Sequence, residues 1–328
     1  MFAHKIAGFT GPDDVQWINV EEPGADGGVV IDVIAAGVSY ADLLQTRGAY
    51  QMQVPVPYTP GMDAAGVIRS AGMAQPAGQG ARLFAGQRVS VLLPFGCWQE
   101  VISAPAERVL PLPEGMSFDA GAAAPLNYLT GLLALARRAR AQPGETLLVH
   151  GAAGGVGTAA IQLGRALGLR TVAVVGNEAR RSFALGCGAD HAVLSGGWLD
   201  AVRGLLGERA VDIVVDPVGG DRMTDSLRAL APEGRVVVLG FSGGEIPTVK
   251  VNRLLLGNTG VLGVASREFF DQRPGTITEL WVELLELRRT GRLGDPPVQR
   301  YPFADARGAL RAIADRQAMG KVILRRSS

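Results

Sequence analysis

The stretch that decides the fold is His150-Gly-Ala-Ala-Gly-Gly-Val-Gly157. It follows an apolar run, Thr146 to His150, and opens a helical stretch from Gly157 to Leu167 that Gly168 stops. Within it, Ala152-x-Gly154-x-x-Gly157 has the spacing of the dinucleotide fingerprint, with Ala in the first glycine's place. Small residues permit a tight turn, Gly154 lets the backbone approach a pyrophosphate, and Gly157 lets the helix pack on the strand. The helix start then turns its unpaired N–H groups toward phosphate. Ala152, Gly154, Gly155, Val156 and Gly157 are therefore the expected phosphate-end residues.

Working outward, apolar runs alternate with helical stretches. Thr171 to Val175, Val211 to Val215 and Arg235 to Leu239 read as strands; Ala179 to Leu185, Trp198 to Leu206 and Asp221 to Leu230 read as helices. Valine and leucine runs without polar alternation are what strands covered on both faces require. Strands spaced by helices imply βαβ units and a doubly wound parallel sheet, an α/β fold.

The end of the second strand reads the cofactor type. An acid about 20 residues past the fingerprint would take a ribose 2′-hydroxyl. The position holds Gly176, followed by Glu178, Arg180 and Arg181. A carboxylate would repel a 2′-phosphate, whereas arginine pairs with it bidentately. The expectation is NADPH, with Arg180 at the 2′-phosphate; as ordinary solvated helix residues the arginines would have the same pattern.

Before this region the chain reads as short strands and turns. Val29 to Ala35, Arg88 to Leu93 and Gln99 to Ser103 are strand candidates, with a small-residue loop from Gly72 to Gly86. Ser117 opens two helical pieces that break near Pro125 and end around Arg140. After about Gly263 come helices at Thr276–Thr290 and Ala304–Arg316 and a terminal strand at Lys321–Arg325. The expected division is an outer domain of 1–117 plus 260–328 around a nucleotide domain of 118–259.

Composition removes other classes. With 328 residues two cores are expected, and 47% apolar residues suffice to build them. A net charge of +1 gives no electrostatic footprint for nucleic acid or an anionic membrane. The longest apolar stretch, Ala120 to Ala136, carries Pro125, Asn127 and Thr130 and is short for a bilayer. Two cysteines rule out a disulfide framework and a four-sulfur zinc site, and suit a reducing compartment. His4, His150 and His191 are scattered without metal-ligand spacing. Residues 1–10 lack the apolar core of a secretory signal. A cytoplasmic protein without metal is expected.

The sequence also resembles the zinc-free quinone oxidoreductase branch of the medium-chain dehydrogenase/reductase superfamily. The resemblance is carried by Gly37-Val-Ser-Tyr-Ala-Asp42, Arg47-Gly-Ala-Tyr50, Pro60-Gly61, Ala65-Gly66, Leu126-Asn-Tyr-Leu-Thr130, Ala152 to Gly157, Gly188-Ala-Asp190, Asp216-Pro-Val-Gly-Gly220, Gly240-Phe-Ser-Gly-Gly244 and Gly320-Lys321. It spans nearly the whole chain in order. It implies a GroES-like β-rich catalytic domain beside the Rossmann domain, NADPH and a homodimer, with 259–265 as a strand that could pair between subunits. It implies that Ser39 and Tyr50 line the substrate pocket, that Asn127 and Thr130 touch the nicotinamide, and that Phe241, Ser242, Asn252 and Lys321 lie near the cofactor. Many family members have Asn where this chain has Ser39; a hydroxyl can still donate. In the zinc enzymes of the superfamily the first ligand would fall at Ser39 and a His-Glu pair near Met62-Asp63, where no soft or imidazole ligand stands.

That donor set points to an acceptor that is already electrophilic, a quinone or an α,β-unsaturated carbonyl, which takes hydride without a Lewis acid. Two rivals share these motifs: an enoyl-thioester reductase, and a non-catalytic NADPH-binding structural or RNA-binding protein.

Overall fold

The computed structural model describes residues 1–24, 28–71 and 82–327. The loop expected at 72–86 lies outside the described residues as far as 81. The chain forms two compact units. One is Met1–Leu126 with Phe270–Val282 and Asp295–Ser328, and the other is Asn127–Phe269 with Glu283–Gly294. These bounds differ from 117/118 and 259/260. Ala122 and Ala123 pack with Ala35, Ala65 and Ile323 of the first unit, which holds 118–126 there.

In chain order the elements begin with β1 (Phe2–Ile6), β2 (Val15–Asn19), β3 (Val29–Val38), α1 (Tyr40–Thr46), β4 (Asp63–Ser70), β5 (Arg88–Leu92), β6 (Val101–Ala104) and β7 (Val109–Pro111). Then come α2 (Phe118–Leu132), β8 (Thr146–His150), α3 (Gly155–Ala166), β9 (Arg170–Val175), α4 (Glu178–Gly186), β10 (His191–Leu194), α5 (Trp198–Leu206), β11 (Val211–Asp216), α6 (Arg222–Ala229), β12 (Leu230–Val238), α7 (Val251–Gly257) and β13 (Gly260–Gly263). The chain closes with α8 (Ser266–Gln272), α9 (Gly275–Arg289), β14 (Val298–Pro302), α10 (Ala306–Ala314) and β15 (Lys321–Arg325).

The first unit is built on a sheet of order β14-β15-β3-β4-β5-β7, with β6 on β3, and mostly antiparallel pairing. Its core gathers Ile31, Val33, Val89, Val91 and Trp98 with Leu310 from α10. The C-terminal strand β15 pairs with β3, so Lys321 enters the middle of a sheet begun near the N-terminus.

The second unit is a six-stranded sheet of order β10-β9-β8-β11-β12-β13, parallel throughout. All five residues of β8 are buried, as the unbroken apolar run requires. Chain order reverses between β8 and β11, the switch point where open α/β sheets bind ligands beyond their carboxyl ends.

Helix α2 differs from the expectation of two pieces. It runs through Pro125 without a break and continues into a π-helical turn at Leu133–Arg138. An interior proline costs about 3 kcal/mol. Here Ala122, Ala123, Leu129 and Leu132 are fully buried on either side of it, and that burial outweighs the lost hydrogen bond.

Candidate functional site

The loop after β8 makes a sharp turn at Gly151, whose φ of +59° favours glycine, and closes through Gly154 N–H to Gly151 C=O at 2.9 Å. A β-carbon on Gly157 would lie 2.3 Å from the Gly151 carbonyl oxygen and 2.7 Å from the Ala152 Cα, so only glycine lets α3 start against the loop. Ala152 is packed rather than open: its N–H donates to Val174, and its carbonyl accepts from the Thr158 hydroxyl at 3.2 Å. Gly154 caps α3 without a side-chain hydrogen bond. No N-cap side chain therefore accepts from the first-turn amides of Gly155, Val156 and Gly157.

Asn127 sits beside this helix start. It is 3% exposed, and its Nδ2 has no hydrogen-bond partner among the described residues. A β-carbon on Gly155 would come within 2.5 Å of that nitrogen. The amide thus lies against the first turn of α3, beside the glycine fingerprint. Thr130, buried one turn further along α2, carries the same face onward. A buried donor without an acceptor, next to uncapped helix amides, fits an anion such as a pyrophosphate.

At the end of β9, Gly176 is exposed and an added β-carbon there would meet nothing. Asn177 caps α4, its side chain accepting from the Arg180 N–H at 2.9 Å. The two arginines separate here. Arg181 donates from Nε to the Ala192 carbonyl on β10 and pairs with Glu178, so it ties the helix to the sheet. Arg180 stands on the same first turn of α4, with its N–H on the Asn177 side chain.

The loops after β11 and β12 are tied together by Ser242 N–H to Pro217 C=O at 3.1 Å and Gly243 N–H to Val218 C=O at 2.8 Å. Asp216 organises them. Fully buried, it accepts from Val218 and Gly219 N–H through Oδ1, and burial raises its pKa. Phe241 is 38% exposed at this carboxyl edge. Asn252 lies exposed on α7, a helix with no buried residue.

In the first unit, Ser39 and Asp42 form a capping box that starts α1. The Ser39 Oγ–H donates to Asp42 Oδ2 at 2.6 Å, and the Ser39 N–H reaches the same oxygen at 2.8 Å. The single serine proton expected to serve a substrate oxygen is therefore engaged. Burial pushes the Asp42 carboxyl up to about 6 against the opposing bond from Ser39. Tyr50 is half-buried in the segment after α1.

Lys321 corrects the sequence reading. It is not a surface lysine: it is 3% exposed, and its Nζ lies 3.0 and 2.9 Å from the two carboxylate oxygens of the fully buried Asp63. A β-carbon on Gly37 would fall 2.0 Å from Asp63 Oδ1 and 2.6 Å from Lys321 Cε, so glycine on β3 makes room for the pair. The positions where zinc relatives carry ligands thus hold a hydroxyl capped on Asp42, the thioether of Met62 and a lysine-paired carboxylate. Among the described residues no group of three or more His, Cys, Asp or Glu could hold a metal ion. His4 and His150 are packed: His4 bonds the Phe303 carbonyl, and His150 bonds Ser226 and meets Trp198 edge-on.

Sequence reasoning passed over Gly151, Asn177 and the helix α1, and named Asp63 only as a position where zinc relatives carry a ligand. The Ser39-x-x-Asp42 spacing was a legible capping signal for that helix. The Asp63–Lys321 pair spans 258 positions and had no local signal.

Among the described residues no helix is long and apolar enough to cross a membrane. A zinc-binding dehydrogenase family model matches residues 155–285 and an alcohol dehydrogenase GroES-like domain model matches residues 25–114. The chain is 34% identical over 299 residues to the quinone oxidoreductase-like protein 2 of Rattus norvegicus, covering 90% of this chain and 84% of that one. The quinone oxidoreductase of Thermus thermophilus, whose structure was also solved with NADPH, is 35% identical with a TM-score of 0.81, covering 99% of this chain and 100% of that chain. The enoyl reductase CurK is 27% identical with a TM-score of 0.85, covering 99% of each. Fingerprint loop, GroES-like sheet and relatives agree, and the chain belongs to the quinone oxidoreductase branch of the medium-chain dehydrogenase/reductase superfamily.

Proposed function

We propose that this protein is an NADPH-dependent reductase that acts without zinc on quinones or activated α,β-unsaturated carbonyl compounds. The observation that carries the cofactor reading is the buried, unpartnered Nδ2 of Asn127 beside the uncapped start of α3. A β-carbon at Gly155 would come within 2.5 Å of that nitrogen, so glycine there keeps the donor beside the helix start. The absence of a carboxylate at Gly176 and the placement of Arg180 on the next helix favour the 2′-phosphorylated cofactor. Crystal structures of relatives with NADPH support the same choice.

When bound, NADPH supplies the hydride. The chain's own residues bind and orient. Gly154, Gly155, Val156, Gly157 and Asn127 hold the pyrophosphate, Thr130 steadies the nicotinamide end, and Phe241 and Ser242 flank it from the loop after β12. Asn252 keeps only a peripheral role on its exposed helix. Ser39 and Tyr50 face the substrate and hydrogen-bond the oxygen on which charge develops. An acceptor that is already electrophilic suits a donor set in which Asp63 is held by Lys321.

The partner is a second copy of the chain. β13 ends the parallel sheet, and nearby α7 presents Val251, Leu255 and Leu256 at 74%, 75% and 77% exposure. Burying such a face against a second copy removes apolar area from water and covers a sheet edge. The expected compartment is the cytoplasm.

The test is steady-state oxidation of NADPH against quinones, enones and crotonyl-CoA, with NADH in parallel and a chelator present. Turnover of quinone or enone with NADPH that survives chelation is the expected result. Preference for crotonyl-CoA would favour the enoyl-thioester reading that the CurK likeness supports. NADPH binding without turnover of any acceptor would favour a non-catalytic role.

A further inference from the structure

We infer that Asp42 is the proton store behind Ser39, so that the direction of one hydrogen bond decides whether Ser39 can serve a substrate oxygen. This rests on the reading above that Ser39 faces the substrate. The geometry carries it. Ser39 has one O–H, and it points to Asp42 Oδ2 at 2.6 Å. The Asp42 N–H approaches Ser39 Oγ at 3.3 Å, so the serine oxygen already accepts within the cap. With Asp42 ionised, Ser39 offers a substrate no proton. With the proton on Asp42 Oδ2, the same bond runs the other way: the carboxyl donates to Ser39 Oγ, and the serine O–H is released to point elsewhere.

The surroundings make the protonated form accessible. Asp42 is fully buried, and its Oδ1 has no hydrogen-bond partner among the described residues. The charged groups around it are Lys321 on β15 and Asp63 on β4, which act on it with opposite sign and are paired to each other. The other titratable groups near it are Tyr58 and Cys97, both shifted upward by burial first and then by Asp42's charge or Asp63's. No unpaired cation among these holds Asp42 ionised, and its carboxyl stands at about 6.

The proton balance of a reduction follows. Hydride from a reduced nicotinamide reaches carbon, the nicotinamide is oxidised, and the acceptor's oxygen gains the negative charge. That oxygen forms an O–H bond with the Ser39 proton. Ser39 Oγ takes the proton from Asp42 Oδ2, and Asp42 is left as the carboxylate. After product leaves, solvent restores the proton through Ser39. Asp42 acts through Ser39 and is a positioning residue, not one that touches substrate.

The test uses the full chain and four forms: wild type, Ser39→Ala, Ser39→Thr and Asp42→Asn. Infrared difference titration follows the carboxyl band of Asp42 with and without NADPH. A band that is absent in Asp42→Asn, persists in wild type above the pH where free carboxyls ionise, and shifts its midpoint in Ser39→Ala is the expected result. In turnover, kcat with an enone falls as pH rises through the same midpoint. Asp42→Asn and Ser39→Ala flatten that profile and lower kcat by ~10-fold or more, while KM for NADPH holds and Ser39→Thr restores the wild-type profile. A profile unchanged in Asp42→Asn, or a carboxyl band unmoved by Ser39→Ala, overturns the inference. If wild type turns over no acceptor, the reductase reading falls on its own, and the infrared midpoint still decides whether Asp42 and Ser39 share the proton.

Discussion

A β-carbon on Gly155 would lie 2.5 Å from the Nδ2 of Asn127. The two residues come from different elements, the second half of α2 and the first turn of α3. Their approach sets a buried amide donor beside helix amides that no side chain caps. Gly157, two residues on, is crowded differently, by backbone rather than by a side chain.

That difference predicts two distinct glycine phenotypes. Gly157→Ala must displace the Gly151 carbonyl and lowers stability by roughly 1–3 kcal/mol, with NADPH binding lost alongside it. Gly155→Ala meets only a movable amide, so the protein folds while NADPH affinity drops by about tenfold or more. Thermal melting together with a fluorescence titration of NADPH separates them; equal melting temperatures for the two variants would contradict the backbone clash.

Asn127→Leu is predicted to move stability and binding in opposite directions. Removing a buried donor that has no acceptor leaves the cofactor-free melting temperature unchanged or higher. Losing a hydrogen bond to a charged phosphate costs about 1.5–3 kcal/mol, or roughly 10–100-fold in Kd for NADPH. A variant that keeps wild-type affinity would remove Asn127 from the phosphate site.

Arg180→Ala is expected to erase the preference for NADPH over NADH. Arg181→Ala is expected to keep the preference and loosen α4, because its guanidinium bonds the Ala192 carbonyl. The measured quantity is the ratio of kcat/KM for the two cofactors. An unchanged ratio in Arg180→Ala would reassign the 2′-phosphate contact.

Lys321→Met leaves the Asp63 carboxylate buried without its partner, and a loss of about 3–5 kcal/mol is expected. The double variant Asp63→Asn/Lys321→Met recovers most of it. Because Lys321 is engaged with Asp63, the double variant also keeps NADPH affinity within about twofold. A large affinity loss there would return Lys321 to the cofactor.

Acid stability follows from the two buried histidines. Burial lowers His4 from 6.5 to about 4 and His150 to about 3. Both are neutral in the folded chain and protonate on unfolding, so their contribution is present above pH 6.5 and lost as pH falls toward those values. The two shifts correspond to roughly 3 and 5 kcal/mol. Asp42, raised from 3.8 to about 6, opposes them, since its contribution is lost as pH rises through that range. Asp63 and Asp216, also raised by burial, act in the same sense as Asp42, and the expected outcome is that the histidines dominate and melting temperature falls between pH 6.5 and 4. His150→Phe should flatten that slope; an equally steep slope would place the acid sensitivity elsewhere.

The sequence by itself determined the parallel nucleotide-binding sheet, because a strand buried on both faces must be apolar throughout and a phosphate loop must be built of small residues. Thr146 to Gly157 displays both within a dozen positions. It determined equally that Gly176 lacks a carboxylate and that Ser39 and Met62 offer neither thiolate nor imidazole. Local spacing could not show where a side chain's one proton goes. The Ser39 hydroxyl is turned inward by Asp42, Arg181 is drawn away by a carbonyl on a neighbouring strand, and the Asn127 amide lies against the start of α3. The pairing of Lys321 with Asp63 was decided only in three dimensions, when β15 added itself to β3 and Gly37 left room for both. Such contacts join residues far apart in the chain, and their energy comes from burial and partner geometry, which local pattern does not encode.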